Sequence, residues 1–230
     1  LHQKEIRQAV AFYTAYLGAI DDLGPDFLAD LRRFRHDVFH EAPQIPLLRD
    51  YKKLCEEFGE YYTAFSTDKI TVGTINFTSS TVLEAETHDF KKLSTAPNFP
   101  HYFRFMTGLV EAYAWLLLPK DICSQTSFDL LIQIVPDIMD YTNAVNDLLS
   151  FYKESIASNE RNNPVYLRAQ QNTSQVSDVL CSLSQEIEVY VTRIKASVSD
   201  DKTLLQRVDA YLQGYIGFHV SKPRYRLEEL

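Results

Sequence analysis

Ile6, Val10, Tyr13, Leu17 and Ile20 stand three or four residues apart, a recurrence that puts them all on one face of an α-helix. It returns in Phe27, Leu28, Leu31, Phe34 and Val38, and again in Leu47, Leu48, Tyr51, Leu54, Phe58 and Tyr61. Pro25 should end the first helix near Leu23, because proline disfavours the helical conformation of the residue before it. It should then open the second, where its missing N–H costs nothing, as Pro46 opens the third. From Ser66 to about Glu86, Ile70, Val72, Thr74, Ile75, Thr78 and Val82 would suit a strand by propensity. The run has no turn residues and far exceeds an ordinary strand, so a helix is expected. Further helices are expected from Pro100 to about Leu117, Ser127 to about Ser158, Ser174 to Val198 and Thr203 to about Val220, with a polar connection over Thr87–Asn98. Pro136 should break or kink the Ser127 helix. The reading is an all-α chain of about eight helices, several apolar on more than one side and so interior to a bundle.

Composition narrows the function. The 230 residues, 45% hydrophobic, fit one domain over 1–230 with a sizeable core. A formal charge of −8 leaves no basic stripe for a phosphate backbone, which argues against nucleic acid as partner. Cys55, Cys123 and Cys181 are odd in number and far apart, which favours a reducing, cytoplasmic setting over disulfides or zinc. No apolar run reaches the roughly 18 residues of a membrane span. No signal-peptide pattern opens the chain, although it begins at Leu1 without Met. The sequons at Asn76 and Asn172 are read as chance.

Polar residues carry the chemistry. Asn146, Ser150 and Glu154 in "NDLLSFYKE" are four apart, so on a helix they form an oblique ridge, each step drifting about 40°. An amide carbonyl, a hydroxyl and a carboxylate are hard oxygen ligands of the kind that suits Mg2+. A ridge with that spacing equally suits a solvated face, with Asp147 and Lys153 as surface charges beside it. In "AIDDLGPD", Asp21 and Asp22 close the first helix, where carboxylates oppose the helix dipole and a cation would relieve them. Asp26, after Pro25, has a second explanation as a helix start. Arg104 lies among Phe103, Phe105 and Met106, and a partly desolvated guanidinium needs a partner. Arg224, Tyr225 and Arg226 follow an otherwise apolar helix. Acid clusters and isolated arginines in an apolar bundle describe a site for a metal-chelated phosphate anion.

"NDLLSFYKE" resembles the NSE motif of class I terpene cyclases, N(D/E)xx(S/T)xxxE, and the wider pattern is similar to the fungal trichodiene synthase-like family. Arg104 precedes Asn146 by 42 residues, the interval at which that family places its diphosphate sensor, and Arg224-Tyr225 match its late Arg-Tyr pair. The resemblance runs from about Tyr13 to the last residue. It implies a terpenoid synthase helical bundle around a central active-site cavity, lacking N-terminal and C-terminal family segments. It further implies an enzyme that ionises farnesyl diphosphate with a trinuclear Mg2+ cluster, cyclises the carbocation to a C15 terpene and releases diphosphate.

In this resemblance Asp21, Asn146, Ser150 and Glu154 are the metal ligands, with Asp22 and Asp26 as further candidates. Arg104, Lys153, Arg224 and Tyr225 bind diphosphate. Pro25 stands where the family's acid-rich pattern has a carboxylate, so that the third carboxylate is either Asp26 or absent. Thr14 to Ala19 are mostly smaller than in trichodiene synthases. Phe12, Tyr16, Tyr61, Phe65, Phe77, Tyr113 and Trp115 are the aromatics available to face a cation. No nucleic acid and no membrane span are expected, and a homodimer is compatible with the reading. A chain-elongating prenyltransferase of the same fold would carry a second DDxxD segment; "SDD" at 199–201 lacks its last acid. A degenerate helical binding protein would retain the pocket without turnover.

Overall fold

The structure, a computed structural model, describes residues 3–87, 95–161 and 163–230. Its helices are α1 (Lys4–Leu23), α2 (Leu28–His40), α3 (Pro46–Tyr61), α4 (Ala64–Thr87), α5 (Phe99–Thr107), α6 (Val110–Trp115), α7 (Gln125–Phe151), α8 (Pro164–Asn172), α9 (Val176–Ser197) and α10 (Lys202–Ser221). No strand occurs among the described residues. The polar connection expected over Thr87–Asn98 lies largely outside them.

The chain divides into two compact units, Leu1–Phe90 with Met106–Cys123, and Lys91–Phe105 with Ser124–Leu230. In the first, the periodic face of α1 is buried at Ile6, Tyr13, Leu17 and Ile20. Tyr13 stacks on Tyr51 at 5.5 Å and meets Phe58 edge-on at 5.3 Å. Its hydroxyl pairs with Thr74 Oγ1 at 2.8 Å, so α4 satisfies the one polar atom that α1 buries there. The β-branched run of α4 is helical, and its hydroxyls donate one turn back: Thr67 to Thr63, Thr71 to Thr67, Thr74 to Ile70 and Thr81 to Phe77. With those donors satisfied internally, α4 can bury polar positions at low cost.

Gly24 closes α1 at the expected place but keeps right-handed helical angles, φ −51° and ψ −38°. Without a Cβ it escapes much of the clash that proline imposes on its predecessor. The chain therefore runs into a 3-10 turn, Gly24–Phe27, and α2 starts only at Leu28. A Cβ on Gly24 would lie 2.8 Å from Thr81 Cγ2 and 3.2 Å from Leu31 Cδ1. Gly24→Ala is expected to lower stability by about 1–3 kcal/mol through overpacking, read as a drop in melting temperature; an unchanged melt would contradict this close approach.

In the second unit α7 is the central element, buried at Ile134, Ile138, Tyr141, Val145 and Asp147 among others. Of the break or kink expected at Pro136, the break does not occur, for α7 runs through it. Pro136 and Ile132, whose carbonyl loses its helical donor, are both exposed, so water can satisfy that carbonyl. Two other expectations need correcting. The helix from Pro100 to Leu117 is interrupted, because buried Leu109 takes φ 48° and ψ 15° and starts α6 afresh. The long helix ending near Ser158 changes at Tyr152 into a π-helical segment, Tyr152–Ala157. Helix α8 was not expected at all.

Candidate functional site

The ridge on α7 is not a solvated face. Ser150 is 2% exposed, Asp147 is 7% exposed, and Asn146 and Glu154 are partly buried. The reading of Asp147 as a surface charge, one of the two left open, is thereby excluded. Asp147 lies one step round the helix from Asn146, against α5, where Arg104 Nε approaches its Oδ1 at 2.8 Å. The same guanidinium donates from Nη2 to Asn146 Oδ1 at 2.7 Å. Arg104 thus grips two adjacent residues of α7 from a helix 42 positions earlier. Burial raises the Asp147 carboxyl above its ordinary range, against the opposing pull of Arg104 and Arg168.

The π segment, Tyr152–Ala157, carries Glu154. Asn146 to Ser150 is one α-helical step, with its usual drift of about 40°. Within the π segment each turn takes more residues, as the Ser158 N–H to Lys153 carbonyl bond of 3.0 Å marks. The step from Ser150 to Glu154 enters this segment at Tyr152 and so drifts less than a fully α-helical step would. Ser150 Oγ is buried without a hydrogen bond of good geometry, yet close enough to favour the charged form of Glu154. Burial nevertheless lifts the Glu154 carboxyl to about 7, and Arg104 and Lys153 pull only weakly the other way.

Asn163 supports Glu154 from the start of α8. It is 3% exposed, accepts the Tyr166 N–H as the helix N-cap, and donates to Ser155 Oγ at 2.6 Å and more distantly to Glu154 Oε2 at 3.5 Å. The Asn163-Pro164 pair is itself a helix-start signal that could have revealed α8. His219 is a second residue that the sequence did not single out. It is 1% exposed, lies 3.2 Å from Asn146 Nδ2 through its Nε2, and has its ring centroid 4.3 Å from that of Tyr225. Burial lowers its pKa, and the nearby Arg224 and Arg104 lower it further. Arg224 and Tyr225 lie in a 3-10 turn, Pro223–Tyr225, packed against the π segment.

Arg104, Asn146, Ser150, Glu154, Arg224 and Tyr225 are thus linked within the second unit, through direct contacts or shared neighbours; Lys153 lies on the same π segment. Asp21 and Asp22 are exposed in the last turn of α1, and Asp26 is exposed in the 3-10 turn, all in the first unit. Of the aromatics, Trp115 and Phe77 are buried in that unit's packing, whereas Phe12 and Phe65 are exposed. Tyr113 donates to Thr14 Oγ1 at 2.9 Å, and Tyr61 donates to Glu57.

Mg2+ fits the donor set on α7 in one respect and meets competition in another. Ser150 offers an orphaned hydroxyl beside a carboxyl that a cation would help to ionise. The Asn146 oxygen already accepts from Arg104, so a metal must share or displace that bond. Among the described residues no three His, Cys, Asp or Glu side chains cluster closely enough to hold a metal by themselves. Beside Glu154 the ridge offers the amide oxygen of Asn146 and the hydroxyl of Ser150 as further oxygen ligands.

The Glu154 shift has a pH consequence. Its folded pKa, about 7, stands above the ordinary 4.5, so the folded state holds the proton more tightly than the unfolded chain does. The contribution is fully present below about pH 4.5 and is lost as pH rises through about 7, a change on the order of 3 kcal/mol. The unliganded protein should melt at lower temperature at pH 8 than at pH 6, and Glu154→Gln should flatten that part of the profile. Identical slopes for parent and variant would contradict the shift.

Comparison with known proteins gives the geometry a context. A family model described as Trichodiene synthase (TRI5) matches residues 2–230. The chain is 31% identical over 230 residues to an (E)-beta farnesene synthase of Metarhizium brunneum, covering 99% of this chain and 70% of that protein. It is 28% identical over 229 residues to Alpha-cuprenene synthase COP6 of Coprinopsis cinerea, with 98% and 68% covered. To Monoterpene synthase 25 of Postia placenta it is 30% identical over 229 residues, again with 98% and 68% covered.

Proposed function

The chain belongs to the trichodiene synthase family of terpene synthases, enzymes acting on prenyl diphosphates, and on that premise we propose that it is a Mg2+-dependent sesquiterpene cyclase acting on farnesyl diphosphate. One observation carries the reading: the orphaned, buried Ser150 hydroxyl and the desolvated Glu154 carboxyl lie on one ridge beside Arg104. A chain with no cationic or phosphate ligand to bind would have little reason to maintain so costly a set.

In this proposal Asn146, Ser150 and Glu154 hold Mg2+, and Asp21, with Asp22 and Asp26 beside it, supplies the carboxylates of the first unit. Bound Mg2+ would neutralise the charge that develops on the departing diphosphate. Arg104, Lys153, Arg224 and Tyr225 donate to the diphosphate oxygens, stabilising the leaving group as the C–O bond ionises. Arg104 presents two parallel donors to neighbouring phosphate oxygens, a geometry that Lys cannot reproduce. The allylic cation then closes on itself where aromatic faces attract it and water is kept out. Residues 1–230 act in this reading as one catalytic domain. The enzyme works in the cytoplasm, and a homodimer is compatible with it. Among the described residues no helix is long and apolar enough to cross a membrane.

Purified protein with Mg2+ and farnesyl diphosphate, its organic extract analysed by mass spectrometry, tests the proposal. A C15 hydrocarbon together with released diphosphate supports it. Longer diphosphates formed on adding isopentenyl diphosphate would identify a prenyltransferase instead. Turnover of geranyl diphosphate alone would shorten the substrate to C10, and no product from any of these would leave a binding protein.

A further inference from the structure

A chain of hydrogen bonds in the second unit runs in one direction only. A guanidinium carries donors and no acceptor, so Asn146 must turn its carbonyl oxygen to Arg104 Nη2 at 2.7 Å. The amide nitrogen of Asn146 then faces His219 Nε2 at 3.2 Å. On the far side of the ring, His219 Nδ1 lies 2.8 Å from the Tyr215 carbonyl oxygen. A carbonyl only accepts and an amide NH2 only donates. Nδ1 therefore carries the imidazole proton and Nε2 the lone pair. Aromatic neighbours fix the ring plane: Tyr215 meets it edge-on at 4.7 Å, Phe218 edge-on at 5.6 Å, and Tyr225 lies tilted against it at 4.3 Å.

Resting on the reading of Asn146 as a metal ligand, we propose that His219 is a positioning residue that locks the Asn146 amide with its oxygen toward Arg104 and the incoming Mg2+. An amide turned by half a revolution would set N–H against guanidinium N–H, and oxygen against the imidazole lone pair. Both contacts are repulsive, so the two neighbours select one orientation together. Arg104 cannot hold it alone during the reaction, because the proposed function draws its Nη donors to diphosphate. His219 keeps its acceptor on the Asn146 amide throughout. The bond reaches a proposed metal ligand from behind, the arrangement in which an outer partner orients a first ligand and tunes its affinity.

His219→Phe keeps an aromatic plate between Tyr215 and Tyr225 and removes the acceptor. His219→Gln restores an acceptor oxygen near the place of Nε2. The probe is MgCl2 titrated at fixed inorganic pyrophosphate, read as the rise in melting temperature. The Phe variant should need about tenfold more Mg2+ than the parent for half of the rise, the scale on which outer-shell partners act on metal affinity. The Gln variant should stay within about threefold of the parent. In an Asn146→Ala background, His219→Phe should change nothing further, since the group it orients is gone.

A metal-free readout accompanies the titration. In the unliganded parent, a proton–nitrogen correlation spectrum of the imidazole should show Nδ1 as pyrrole-type and Nε2 as pyridine-type. A pyrrole-type Nε2 overturns the lock, whether or not the His219→Phe protein folds. So does a Phe variant that titrates like the parent, or a Gln variant as impaired as the Phe variant. A parent that Mg2+ and pyrophosphate leave unstabilised removes the proposed function, while the spectrum still decides the tautomer.

Discussion

Glu154→Gln is expected to lower turnover of farnesyl diphosphate by at least about tenfold, the scale seen when a metal site loses a supporting contact, and to raise the Mg2+ concentration required. The fold should survive, because Gln keeps the shape of Glu and still offers an oxygen to Asn163, which approaches Glu154 Oε2 at 3.5 Å. The unliganded variant should melt at or above the parent at pH 8, where the parent must hold an ionised carboxyl in a partly buried place. Lost turnover and retained or improved stability together separate a ligand from a packing residue. Unchanged Mg2+ dependence would remove the ridge from the account. Asp21→Asn is expected to act likewise, and Asp26→Asn less, because its place in the 3-10 turn before α2 explains that acid without a metal. Equal damage from the two would mean that Asp26 is a ligand as well.

Arg104 has two roles that can be pulled apart. Arg104→Ala leaves Asp147, 7% exposed, as a buried charge without its closest partner, and removing one partner of a buried pair typically costs about 3–5 kcal/mol. That loss should shrink at acid pH, since burial raises the Asp147 pKa and the carboxyl takes up a proton early. Combining Arg104→Ala with Asp147→Asn should recover most of the stability, as the charge is gone from both sides. It should not recover the stabilisation by Mg2+ with inorganic pyrophosphate, which at a hundred times the dissociation constant is worth about 2.7 kcal/mol in the parent. Arg104→Lys keeps a cation for Asp147 but loses the planar fork, so it should melt within a few degrees of the parent and still lose the ligand response. If the double variant or the Lys variant responds to Mg2+ and pyrophosphate as the parent does, Arg104 is a structural partner of Asp147 and nothing more.

Where a single physical pattern decided the outcome, the sequence was readable. The three-and-four spacing of Ile6, Tyr13, Leu17 and Ile20 marks a buried face, and that face is buried. The β-branched stretch of α4 was legible as helix through its length, although its hydroxyl bonds to carbonyls one turn back were not. Of the break or kink expected at Pro136 the break does not occur, since the exposed carbonyl one turn back is open to water and exposure is a tertiary property. The break before α6 had a mark that the reading passed over, Gly108 directly after the last residue of α5; the left-handed φ of 48° at Leu109 had none, since Leu rarely takes it.

Within the candidate site, Arg104, Asn146, Ser150 and Glu154 were named from the sequence, but their contacts could not be. Asp147, beside Asn146 in the chain, looked like a surface charge because its environment is set by α5, far away in sequence. The π segment and His219 were equally hidden: the first shows only as a change of backbone hydrogen bonding at the end of α7, the second depends on an α10 face that meets α7 only after folding.

The central claim is that the α7 ridge binds a divalent cation together with diphosphate. Anomalous diffraction from crystals grown with Mn2+ in place of Mg2+ and inorganic pyrophosphate tests it most directly. The account predicts a metal peak about 2.1–2.2 Å from Ser150 Oγ and a Glu154 carboxylate oxygen, with the Arg104 guanidinium donating to a pyrophosphate oxygen. A metal peak elsewhere, or pyrophosphate bound while Ser150 and Glu154 keep their present surroundings, would contradict it.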